Sequence, residues 1–136
     1  MMSVEINGRI KHKQKVEDFV YNTMFDLMPR LKRTVYLDIN IVTECDNGLH
    51  ALCHGDKDEV EIEVARQSFG NKFTLDEMVL HLAHELVHAK QFFRGELHPS
   101  LKTWCKADHS KTPYTETPWE KEAFLMEEKI LNKHWK

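Results

Sequence analysis

The chain has 136 residues, 41% hydrophobic and 30% charged, with a formal net charge of −3. That length suits one domain with a core of its own, spanning 1–136, and is too short for two. The near-neutral charge balance makes nucleic acid an unlikely partner, and no run approaches the ~20 apolar residues of a membrane helix.

Residues 1–14 lack the apolar run of a signal peptide. Cys45, Cys53 and Cys105 are odd in number and fit no paired framework, so reduced thiols in the cytoplasm are expected. Cys105 is expected as a small buried thiol; a metal site shared with His109 lacks any Cys-x-x-Cys.

Residues 3–12 read as an arm or short strand. Arg9, Lys11, Lys13 and Lys15 form a basic cluster that is expected to be a solvated face. Residues 13–28 carry Val16, Phe19, Val20, Thr23, Met24 and Leu27 at helical spacing, and Pro29 ends the helix. Val35, Leu37, Ile39 and Ile41 then alternate as one face of a strand. A second strand is expected over 49–54 and a third around Val60, Ile62 and Val64. The turn chemistry of Asp46-Asn47-Gly48 and Gly55-Asp56-Lys57-Asp58 predicts an antiparallel meander.

Thr74 followed by Glu77 is a capping-box start, and residues 75–93 carry apolar positions at helical spacing on several faces. This predicts a central, enclosed helix, closed by Arg94 and Gly95. Residues 101–106 are expected as a fourth strand or edge segment anchored by Trp104. Thr117 and Pro118 open a last helix reaching about His134, burying Trp119, Ala123, Met126 and Ile130, with Phe124 and Leu131. The predicted class is α+β: a small, mainly antiparallel sheet packed on the central helix, with N-terminal and C-terminal helices.

The central helix contains His84-Glu85-x-x-His88. Residues four apart share a helix face, so the two imidazoles can converge on one ion. Glu85, one residue round, sits beside that ion, where it can take a proton from a water acidified by the metal. His81 lies on the same stripe and could support a ligand or donate to an oxyanion; a core histidine bonded to a backbone carbonyl is the competing role. Tyr114 and His109, in the loop before the last helix, are further candidates for that donor.

Catalytic zinc sites usually have three protein ligands. Candidates for the third are His98 and a carboxylate of the last helix. Glu120 shares the apolar stripe of Ala123, Phe124 and Leu131, while Glu122 points to the opposite side. Thr117-x-x-Glu120 also fits a capping box, a competing use of the same carboxylate.

Pro118-Trp119-Glu120-Lys121-Glu122-Ala123, with Tyr114 four residues before Pro118, resembles a Tyr-x-x-x-Pro-Trp-Glu-x-Glu-Ala signature. That signature belongs to small metallopeptidase-like proteins of phages and bacteria. Glu-x-x-Ala after His-Glu-x-x-His is similar to the glutamate zincins and, more distantly, to the ImmA/IrrE-like minimal zincins. The resemblance covers about residues 74–130. It implies a minimal zincin fold, one Zn²⁺ per chain, Glu120 as third ligand, and the cytoplasm of a phage-infected host as one setting. The small phage-type members often carry Trp-Lys-Gly between the two motifs; here Trp104-Cys105-Lys106-Ala107 lacks the Gly.

The expected function is a zinc metallopeptidase hydrolysing peptide bonds of a peptide or protein substrate. His84, His88 and Glu120 hold zinc, Glu85 is the base, and the substrate adds to the strand of Val60, Ile62 and Val64 as a sheet edge. The alternative is a non-enzymatic zincin-fold interaction or regulatory module, against which the retained Glu85 argues. A nucleic-acid-associated protease is a minor third reading resting on the basic cluster.

Overall fold

Alternating Val35, Leu37, Ile39 and Ile41 bury one face of β2 (Val35–Val42), and the sheet is built outward from that strand. In the computed structural model, which describes residues 1–135, β1 (Met2–Asn7) lies parallel to β2, with Val4 opposite Leu37. The connection between them is α1 (Lys13–Leu27), a crossover helix of the length a parallel pair requires. β4 (Glu59–Ala65) lies parallel to the other side of β2, pairing Ile39 with Ile62. β3 (Ala51–Gly55) closes the far edge antiparallel to β4, giving the order β1-β2-β4-β3.

The class is α+β, and antiparallel ladders outnumber parallel ones across the three small sheets. The simple meander does not form, however, and the four-stranded sheet is mixed. Only one of the two expected turns is a hairpin: Asp56 accepts from the backbone N–H groups of Asp58 and Glu59 and turns β3 into β4. The Asp46–Gly48 segment is instead a 3-10 turn inside a wider connection. That length lets the chain skip one strand position before returning. The strand of Val60, Ile62 and Val64 is therefore interior, and β3 is the edge.

α2 (Leu75–Phe93) packs against β3 and β4 on one side and against α3 (Pro118–His134) on the other. Val79, Leu82 and Leu86 are buried with Leu37, Ile39, Ile62 and Phe19 in one core. Each such side chain contributes about 1.5–3 kcal/mol on burial. Both ends of α2 are fixed by bonds the sequence foreshadowed. Thr74 Oγ1 accepts from Glu77 N, and the Glu77 carboxylate accepts from Thr74 N. At the other end Gly95, with φ 72°, bonds Phe92 O while Glu96 N bonds Gln91 O, a Schellman closure.

Two short hairpins complete the chain: β5 (Gln67–Ser68) with β6 (Asn71–Lys72), and β7 (Thr103–Trp104) with β8 (Ala107–Asp108). The second replaces the strand expected over 101–106. Cys105 and Lys106 both take positive φ, the requirement of a tight two-residue hairpin turn. Cys105 is consequently exposed, not buried as expected. Along α3 Trp119, Ala123 and Ile130 are buried, Met126 and Leu131 are half-buried, and Phe124 is exposed. None of the helices described is long and apolar enough to cross a membrane.

Thr74→Ala removes one half of the capping box and should cost about 1 kcal/mol of stability. Urea denaturation of the variant checks this, with an unchanged far-UV spectrum expected.

Candidate metal centre

His84 and His88 stand one turn apart on the face of α2 that meets α3. From α3, Glu120, Phe124 and Glu127 recur at i, i+4 and i+7 and point back at them. The Glu120 carboxylate lies between the two rings: Oε1 is 3.0 Å from His84 Nε2, and Oε2 is 3.1 Å from His88 Nε2. Phe124 sets its ring edge-on to His84 at a centroid distance of 4.7 Å. Its exposure on one side follows from walling this site. The nearest ligand atoms of His84, Glu85 and His88 lie within 4.8 Å of one another, a grouping that could hold a metal ion.

The ring nitrogens facing away from Glu120 are tied down. His84 Nδ1 is 2.8 Å from Glu127 Oε2, an acceptor-only atom when ionised, so that nitrogen carries the proton. His88 Nδ1 is 2.8 Å from Gln91 Oε1. The orientation of Gln91 is itself determined, because its Nε2 donates to Trp119 O at 3.0 Å and to Glu122 Oε1 at 2.9 Å. Glu122 also accepts from the buried Lys90, which is shared with Glu96. Glu122 thus reaches α2 and does not point away from the core as expected. With both Nδ1 atoms donating outward, both Nε2 atoms face the Glu120 carboxylate, each donating to one oxygen when protonated and open to a cation when not. This is how proteins orient histidine ligands of a metal.

Charge is balanced at this contact by protons on the rings. Burial opposes the imidazolium of His84, but its bond to Glu120, the Glu85 charge and its bond to Glu127 raise its pKa to about 9. Burial likewise raises Glu120, and the two histidines outweigh it, holding the carboxyl at about 2. Burial also pushes Glu85 upward, with the two imidazolium charges opposing. Glu85 Oε2 is buried without a hydrogen-bond partner. A carboxylate oxygen in that state is costly unless a water, proton or cation meets it. Glu85, Glu120 and Glu127 surround the two imidazoles, so a divalent cation can take the place of the two ring protons with no change in the net charge of the site. The donor set fits a metal.

Tyr114 is exposed over most of its surface, with its phenol close enough to Glu120 to feel that charge. Burial and the adjacent Glu120 carboxylate push its phenol above the ordinary value. It belongs to a 3-10 turn, Tyr114–Glu116, just ahead of α3. The capping role for Glu120 is not used: Thr117 makes no side-chain cap, and its hydroxyl donates to Tyr114 O. Among the described residues His81 makes no hydrogen bond to His84 or His88. The His81 ring lies tilted against His50 at 4.6 Å and edge-on to Phe73 at 4.9 Å, and its Nδ1 is buried without a partner. The alternative of a core histidine bonded to a backbone carbonyl is not met either, since Nδ1 is buried without a partner. His98 is held by Ser100 and His109 by Thr112, both outside the grouping around His84.

Sequence reasoning missed Gln91 and Lys90, and, for Glu127, one of the last-helix carboxylates, the part it plays on His84 Nδ1. Glu127 carried a signal, lying seven residues after Glu120 on the same face. Gln91 and Lys90 carried none, because their partners come from distant parts of the chain. No protein-family model, curated protein or solved structure matches the chain.

Glu127→Ala leaves His84 Nδ1 without its acceptor and should weaken divalent-metal binding about 10–100-fold, measured by chelator competition. A second expectation concerns His81, whose pKa is lowered to about 4 by burial and by His50. Its folded pKa lies below the unfolded one, so its contribution is complete above pH 6.5 and is lost as pH falls toward 4. Denaturation curves between pH 7 and 4 should show that loss, and His81→Phe should make it shallower.

Proposed function

We propose that the chain is a zinc-dependent peptidase in which His84, His88 and Glu120 hold one Zn²⁺ and Glu85 is the general base. The observation that carries this reading is the convergence of two tautomer-fixed Nε2 atoms on the Glu120 carboxylate. Two imidazoles and one carboxylate form the three-ligand set of catalytic zinc, which keeps one position open. The resemblance of the His-Glu-x-x-His and Glu-x-x-Ala segments to the glutamate zincins supports the same assignment. Zinc, when bound, would polarise the scissile carbonyl and lower the pKa of a water.

The chain's own residues supply the rest. Glu85, with a free Oε2 beside the imidazoles, accepts the proton of the attacking water and returns it to the leaving amine. The Tyr114 hydroxyl, near Glu120, is the donor toward the carbonyl oxygen as it gains charge in this reading. An extended peptide or protein substrate pairs with the free edge of β3, which runs beside α2. The Cys53 thiol on that strand lies within electrostatic range of Glu85 and Glu120, which puts the edge next to the site.

Zinc-loaded protein should cleave members of an unstructured peptide library. Glu85→Gln should lower kcat/KM at least about 100-fold while metal content stays unchanged. Zinc-loaded wild type that cleaves neither the library nor an unfolded protein would overturn the peptidase reading in favour of a non-enzymatic module.

A further inference from the structure

A cavity of about 860 Å³ lies away from the metal centre, at the carboxyl end of the parallel strands. Its walls come from the segments that follow β1 and β4, from β6, and from the start of α1 and of α2. Ligands of sheets with parallel strands characteristically bind outside the carboxyl ends of those strands. The volume falls within the range of small-molecule sites.

The lining is chemically one-sided. Arg9, Lys11, Lys13, Arg66 and Lys72 border the cavity, and among the described residues none of the five makes an ion pair. The nearby carboxylates of α2 are engaged elsewhere: Glu77 closes the capping box and Asp76 accepts from Trp135 Nε1. Ile10, Phe73, Leu75 and Met78 supply an apolar wall. Lys13 donates to Gly8 O, and Arg66 to Arg9 O and Thr43 Oγ1, which holds their charges at the rim. Five cations without a carboxylate partner around one cavity run against a net charge of −3.

The start of α1 breaks local rules in the same sense. His12 precedes it with φ 54° and no side-chain cap, and the first turn holds no acidic residue. Lys13 instead stands at the positive end of the helix dipole, where cations are unfavourable. Such a local conflict is expected where a ligand compensates it. An anion at this place would meet uncapped N–H groups and Lys and Arg side chains together.

We propose that this cavity binds a nucleotide-type ligand, its phosphates against the Arg9, Lys11, Lys13, Arg66 and Lys72 cluster and its flat apolar part against Phe73 and Met78. Several separate cations suit a multiply charged phosphate better than a single carboxylate. The phosphates can come from a free nucleotide or from a short single strand of nucleic acid. The site does not depend on the peptidase reading.

The test is calorimetric titration of the full chain with adenosine triphosphate, inorganic pyrophosphate, a ten-residue oligothymidylate and an oligo-aspartate peptide at 0.15 M salt. Saturable binding of the triphosphate or the oligothymidylate is expected, with pyrophosphate weaker than the triphosphate. Lys11→Glu and Lys72→Glu, both at exposed side chains, should each weaken the preferred ligand at least tenfold and leave zinc content unchanged. A free nucleotide as source is marked by tighter binding of the triphosphate, a nucleic-acid strand by tighter binding of the oligothymidylate. The proposal is overturned by no saturable binding, by equal binding of oligo-aspartate, or by affinity that both substitutions leave intact.

Discussion

The contact on which the molecule turns is the Glu120 carboxylate lying between His84 and His88. It joins α3 to α2 at a buried point, and each oxygen meets a different ring. A carboxylate and two imidazoles in that position are stable only when charge is balanced, by protons on the rings or by a cation between them. Removing one partner leaves the others buried and uncompensated, a loss of about 3–5 kcal/mol for pairs of this kind. The same groups that secure the helix pair are thus the groups disposed to hold a metal. Fold and site share one interaction.

Everything around that contact restricts it further. The Lys90–Glu122–Gln91 network fixes one ring, and Glu127 fixes the other. The Schellman closure at Gly95 carries the chain around to Glu96, which completes the pairing of Lys90. On the opposite side Leu82 and Leu86 lock α2 onto the sheet, so the histidine face cannot rotate away from α3. The histidines therefore sit on a rigid element, and the edge strand β3 is left open beside them. Rigid support beside an open strand edge is what the proposed peptidase reading draws on.

Local signals were legible where the local chemistry was sufficient. The capping box at Thr74, the helical spacing of residues 75–93 and the alternation along β2 each appear where the pattern placed them. The position of Glu120 on an apolar stripe likewise foretold a buried carboxylate with partners. What could not be read was the order of strands. The skip from β2 to β3 and back to β4 depends on the length of a connection and on the packing of α2, and neither leaves a periodicity. The exposure of Cys105 came from a two-residue hairpin formed by residues that tolerate positive φ poorly. Lys90 is similar: a lysine on a helix reads as a solvated charge until Glu96 and Glu122 are known to meet it.

The most direct test of the central claim is metal analysis of wild type and Glu120→Ala after identical zinc loading and desalting. About one zinc per wild-type chain is expected and little in the folded variant, whose circular dichroism should remain that of an α+β protein. A folded Glu120→Ala chain that retains its full zinc complement would contradict the assignment of Glu120 as a ligand. A wild-type chain that retains no zinc would contradict the metal centre itself.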